Sequence, residues 1–203
     1  MYIPHSYQNE NLDEIREFIT KNSFGILVNQ LEGKPWATHL PLELATNSNG
    51  KEILEGHIAK ANPQWKAFED NSKVLCIFNG PHAYVSSSWY QEEEVPTWNY
   101  IAVHIYGTLK ILSESDTMEA LHRLVDKYEM NSSNPLSLND LSPKTLRQVK
   151  GVVGFQIEID EIQAAYKLSQ GRTHDHARII EELGNQDDAG SKEIASRMKD
   201  LKA

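Results

Sequence analysis

The sequence predicts a mainly β protein with peripheral helices (α+β), arranged as an antiparallel barrel. Three observations carry that reading. Several β-type segments follow one another along the chain, short turns join most of them, and the strand–helix–strand rhythm of a parallel α/β sheet is missing. The one glycine cluster that resembles a phosphate loop, Gly151-Val152-Val153-Gly154, precedes a strand rather than a helix, the wrong context for a Rossmann or P-loop protein.

The first element is a helix. Asn11 can cap it, Asp13 and Glu14 suit its positive end, and Leu12, Ile15, Phe18 and Ile19 form one apolar stripe. Phe24 to Gln30 reads as a buried strand, and Glu32-Gly33-Lys34-Pro35 turns the chain into a second, Trp36 to Leu44. Asn47-Ser48-Asn49-Gly50 is a hairpin turn before Glu52 to Ile58. Asn62-Pro63 opens a short helix, Gln64 to Asp70, with Trp65 and Phe68 as its inner face. Lys73 to Asn79 and His82 to Ser86 read as two strands around a Gly80-Pro81 turn. A long strand follows, Trp98 to Leu112, then a helix, Asp116 to Met130, with Leu121, Leu124, Val125 and Tyr128 facing inward. Ser142-Pro143 starts a short helix that ends near Lys150, and Val152 to Ile159 alternates as the last strand. Two polar helices, Asp175 to Leu183 and Ser191 to Leu201, close the chain. The expected organisation is a barrel domain over 1–172 and a helical extension over 173–203.

The chain has 203 residues, 20 Lys plus Arg against 29 Asp plus Glu, and a formal net charge of −9. Hydrophobic residues at 39% and charged ones at 24% describe a globular chain able to bury a core. The acidic balance argues against binding DNA through the overall field, because phosphate binders need a local surplus of cations. The single cysteine, Cys76, excludes an intrachain disulfide and a two-cysteine zinc site, and its apolar neighbours mark it as a core residue. The beginning Met1-Tyr2-Ile3-Pro4-His5 lacks the plan of a signal peptide, and a cytoplasmic location is expected.

No arrangement in the sequence demands catalysis. His174-Asp175-His176 is the only close histidine pair, and its spacing converges only in extended chain. His39, His57 and His104 lie in predicted strands as hydrogen-bonding or cofactor-facing groups rather than metal ligands. Ser86-Ser87-Ser88 is either a phosphate or ring-edge contact or a turn capped by its own hydroxyls. Alternation puts Trp98 and Tyr100 on one face, as core, as the wall for a flat conjugated ligand, or as a subunit interface. Lys167 and Arg172 are placed to pair with a phosphate, with carboxylates, or with neither.

In chain order, Met1-Tyr2-Ile3-Pro4, Thr38-His39-Leu40-Pro41-Leu42 and the block Gly56 to Trp65 resemble the PaiB family. So do Gly80-Pro81 with Tyr84 to Tyr90, Val95 to Tyr100 with Val103-His104, and Gly154-Phe155 with Lys167-Leu168-Ser169-Gln170. The chain has Ser87 where the family commonly has proline, and Gly171 where it commonly has asparagine. The resemblance implies an FMN-binding split barrel, a homodimer with cofactor sites at the subunit interface, and a role in negative transcriptional regulation. Haem-binding and haem-degrading proteins share that fold, so haem is the second cofactor and a flavin oxidoreductase or haem-degrading enzyme the second function. Direct DNA binding is doubtful on charge. On this reading His39, His57, Asn62, Ser86, Ser88 and Asn99 supply polar groups to FMN, Trp98 and Tyr100 its wall, and Lys167 and Arg172 meet its phosphate.

Overall fold

The computed structural model describes residues 1–68 and 72–201. Its elements, in chain order, are α1 (Leu12–Lys21), β1 (Phe24–Leu31), β2 (Lys34–Pro41), β3 (Glu43–Thr46), β4 (Glu52–Ala59), β5 (Ser72–Val85) and β6 (Thr97–Ile111). Then come α2 (Glu114–Glu129), α3 (Pro143–Leu146), β7 (Val152–Lys167), α4 (His176–Gly184) and α5 (Ala189–Lys199). The strands hydrogen-bond in the order β2-β1-β5-β6-β7-β4-β3. The β1–β2, β1–β5, β3–β4 and β4–β7 pairs are antiparallel. The order leaves β2 and β3 as edges, while β2 also packs against β4, as in a sheet curled toward a barrel.

Two compact units form. The first joins Met1–Phe18, Phe78–His104 and Gln163–Ala203; the second joins Ile19–Ile77 and Ile105–Ile162. β5, β6 and β7 each give one stretch to each unit. In the first, Phe18, Phe78, Ile101 and Tyr166 are buried with Ile179, Leu183, Ile194 and Met198 from α4 and α5. In the second, Leu27, Leu42, Leu54, Cys76, Ile105 and Phe155 are buried together.

Local chemistry explains the elements. Asn11 Oδ1 accepts from the N–H groups of Asp13 (3.2 Å) and Glu14 (3.3 Å) and so starts α1. Glu32 and Gly33 have φ of 50° and 76°, the pair of positive values that a two-residue hairpin between β1 and β2 requires. Asp188 begins α5 by accepting from Ser191 N–H (2.7 Å).

Several expectations are corrected. Gly80-Pro81 is not a turn, because β5 runs through it. A Cβ on Gly80 would lie 2.5 Å from the Phe18 ring, so the glycine serves a close approach. In the register that pairs Ile26 with Ile77, β1 has run out before Pro81, so the proline breaks no ladder bond on that side. Trp36 to Leu44 is not one strand: Leu42 is fully buried and its N–H donates to Ser23 (2.8 Å), which separates β2 from β3. β7 continues past Ile159 to Lys167. The polar side chain of Asp160 interrupts the apolar pattern without interrupting the strand, since its carboxylate accepts from Lys73 (2.8 Å) and Thr108 (3.0 Å). The helix expected from Gln64 is a 3₁₀ turn, Pro63–Ala67, and the end expected at Asp70 lies outside the described residues. On α2, Leu121, Leu124 and Val125 are half-buried, whereas Tyr128 is exposed, with its hydroxyl donating to Glu43 (2.9 Å).

Candidate functional site

A cavity of about 650 Å³ lies in the second unit. One wall comes from the turn after β4. Asn62 accepts from Gln64 N–H (3.0 Å) and Pro63 sets the first residue of the turn, which brings Trp65 to the cavity. Trp65 Nε1 donates to the Lys60 carbonyl (2.8 Å), which ties the indole to the backbone of Lys60. A second part of the lining begins at Ser142, whose hydroxyl caps α3 by accepting from Thr145 N–H (3.2 Å). The 3₁₀ turn Arg147–Gly151 then carries Arg147, Val149 and Lys150 to the cavity. Ile111, Met118 and Val152 complete an apolar interior, and Lys60, Arg147 and Lys150 are exposed cations at its lining, beside one acid, Glu114.

The turn that carries Trp65 is anchored below. Gln64 is fully buried; its amide donates to Asn29 Oδ1 (3.0 Å) and the Leu27 carbonyl (3.2 Å), and its oxygen accepts from the Thr38 hydroxyl. Thr38 in turn accepts from Asn62 Nδ2 (2.9 Å). A chain of amides and one hydroxyl thus ties β1 and β2 to the turn.

The residues expected at the site fall in both units. Asn62 belongs to this anchor. His57, on β4, lines a smaller hollow of about 110 Å³ under α2, rimmed by the ion pairs Arg123–Glu55 (2.8 Å) and Lys127–Glu43 (2.5 Å). Burial lowers its pKa and favours the neutral imidazole. His39 is exposed and stacks on Phe24, with ring centroids 6.5 Å apart.

The remaining seven lie in the first unit. Ser86 and Ser88 bond to each other (2.9 Å), and Ser86 Oγ also accepts from Ser88 N–H (3.2 Å), which is the self-capped turn. Asn99 is fully buried; its amide donates to Ser169 (2.9 Å) and its oxygen accepts from the Ser169 hydroxyl (3.1 Å). Trp98 is exposed on the opposite face of β6, with Tyr100 half-buried two residues on. Lys167 donates to the Thr97 hydroxyl and lies over the Tyr7 ring (5.8 Å), and burial lowers its pKa. Arg172 is paired with Glu94 and lies over the Tyr90 ring (5.4 Å). In the sequence Lys60 and Trp65 stand in the block Gly56 to Trp65, where Trp65 reads as the inner face of a short helix and neither residue is marked as a cofactor contact. For Arg147 and Lys150 the sequence has no signal.

The family model described as "Putative FMN-binding domain" matches residues 1–161. The chain belongs to this FMN-binding domain family. Across the family, "Protease synthase and sporulation protein PAI 2" of Bacillus subtilis (strain 168) is 46% identical over 202 residues, covering 98% of this chain and 97% of the relative. The expected PaiB resemblance is therefore shown. Among solved structures, the flavocytochrome Anf3 from Azotobacter vinelandii superposes with a TM-score of 0.63 at 14% identity, over 85% of this chain and 76% of that one. The FAD and haem binding protein from Mycobacterium smegmatis gives 0.61 at 12% identity, over 79% of this chain and 73% of that one. At those identities the likeness is one of fold, and the FMN-binding domain shares the split-barrel architecture expected for it.

Proposed function

We infer that the chain binds FMN in the cavity of the second unit and acts as a PaiB-like homodimer in negative transcriptional regulation. The observation that carries the first part is the lining. Pockets for ligands of cofactor size run from roughly 300 to 1,000 Å³, mostly apolar with a few placed polar groups. The cavity of about 650 Å³ has Trp65, Ile111, Met118 and Val152 as apolar surface and three cations close by. A flat conjugated ring needs the first and a phosphate needs the second, so the residues present fit the group. Lys60, Arg147 and Lys150 would hold the phosphate; Trp65, fixed through Gln64 and Asn62, would wall the ring. Bound FMN supplies one- and two-electron redox chemistry.

Titration of FMN, followed by quenching of its fluorescence, tests this seat. The variant lacking all three cations (Lys60→Ala, Arg147→Ala, Lys150→Ala) is expected to bind FMN at least about tenfold more weakly, since charge-assisted bonds to a phosphate contribute ~1.5–3 kcal/mol each. Riboflavin, which has no phosphate, should bind wild type and variant alike. Unchanged FMN affinity in that variant overturns the seat. Affinity lost instead on replacing Ser88, Trp98 and Lys167 moves the cofactor to the first unit.

The regulatory part rests on the family. The net charge of −9 opposes direct DNA contact, so the reading favours action through the bound cofactor or a partner protein. A mobility-shift series over salt, with and without FMN, should give no sequence-specific complex, and light scattering after gel filtration should give twice the chain mass.

A further inference from the structure

A second hollow, of about 470 Å³, lies in the first unit, and of the residues expected to meet FMN only Trp98 lines it. Its construction begins with alternation along two strands. In β5, Ala83 and Val85 are buried, which turns His82 and Tyr84 outward; in β6, Asn99 and Ile101 are buried, which turns Trp98 outward. The three rings meet. The Tyr84 and Trp98 centroids are 5.8 Å apart at 69°, edge to face, and those of His82 and Trp98 are 6.0 Å apart. Tyr84 is 48% and Trp98 53% exposed, so these aromatics turn their surfaces to the hollow and to solvent rather than to the core.

The fourth group is a carboxylate. Asp188, the cap of α5, lines the same hollow beside Gly190 and Ser191. Its bond from the Ser191 N–H, together with further donors at Ser191 and Gly190 and a smaller attraction to His82, holds the carboxyl below the usual range, so it carries its charge at neutral pH.

The faces of Tyr84 and Trp98 are negative at their centres, and the Asp188 carboxylate adds full charge, on a chain whose net charge is already −9. Such a lining selects a cation. A metal ion is disfavoured, because among the described residues no group of three or more His, Cys, Asp or Glu side chains is placed to hold one. A primary ammonium asks for several acceptors, and Asp188 already spends acceptor capacity on Ser191 and Gly190. A quaternary ammonium needs only faces and nearby charge. We propose that His82, Tyr84, Trp98 and Asp188 form a binding site for an alkylated ammonium head group, independent of the flavin cavity.

Calorimetric titration of the full chain tests it with choline and with its carbon isostere, in which a tert-butyl group replaces the trimethylammonium. Choline is expected to bind saturably and at least about fivefold more tightly than the isostere, the gain that cation–π contact gives. Trp98→Ala should abolish choline binding. Asp188→Asn should weaken choline about threefold or more while leaving the isostere unchanged, because Asn caps a helix as well as Asp and the fold is kept. Equal affinity for the two probes overturns the proposal, and so does absence of saturable choline binding by protein whose circular dichroism is native. FMN that displaces choline also overturns it and assigns the aromatic face to the flavin; loss of FMN binding in the three-cation variant with choline binding intact would leave the site standing alone.

Discussion

Gln64 shows how much one side chain can carry. It is fully buried and bonds to two strands, and it holds the turn that presents Trp65. Replacing it by Leu leaves Asn29 Oδ1, the Thr38 hydroxyl and the Leu27 carbonyl without that partner, so unfolding in urea should show a loss of about 2–4 kcal/mol at unchanged m-value. Burial also pushes the Cys76 thiol far up, so it should resist a thiol reagent in the native protein and react fully once the chain is unfolded. His57 and His104 titrate in the opposite sense. Burial lowers both, so each binds its proton more readily in the unfolded chain. Stability is then full above the unfolded value of about 6.5 and falls as pH drops below it. His57→Gln should flatten that fall in a pH series of urea midpoints; an unaltered slope would remove His57 from the account. Cys76 was legible from its apolar neighbours alone. Asn99 was half-legible: the alternation that sets Trp98 and Tyr100 on one face of β6 already sends Asn99 to the other, which is the buried one.

At the scale of elements, periodicity and caps located α1, β1, β4, β6, α2, α4 and α5 within a few residues, because each carries its own pattern and its own stop signal. β5 and β7 were misread because partners elsewhere in the chain decide them. Gly80-Pro81 has the local chemistry of a turn, yet the strand continues there and the Phe18 ring occupies the space a side chain would need. Gly80→Ala should therefore destabilise by about 1–3 kcal/mol. Phe18→Leu, costly alone, should cost less in that background, and a double-mutant cycle with no coupling would show that the ring is not what Gly80 accommodates. The site divides in the same way. The block from Gly56 to Trp65 was visible as a motif, whereas Arg147 and Lys150 sit in a polar turn with no pattern, and only the fold brings them to the cavity, in a turn whose Gly151 carbonyl accepts from Lys60 N–H (2.8 Å).

For the whole molecule, charge and ligand linkage decide what can be measured. No helix among the described residues is long and apolar enough to cross a membrane. If FMN binds the native chain and not the unfolded one, a free concentration one hundred times its Kd should add about 2.7 kcal/mol to stability. Hydrogen exchange should then slow first at residues 60–67 and 142–153, around the cavity, and less at 82–98. Uniform slowing would point to a seat elsewhere. A last consequence follows from β5, β6 and β7, each of which serves both compact units. The chain enters each unit repeatedly, so no single cut separates them, and a deletion that removes one truncates three strands of the other. Gene fusion or exon exchange has no joint here at which to work. Variation in this family is expected to collect instead where the backbone serves neither unit's strands, such as the exposed polar stretch 131–136.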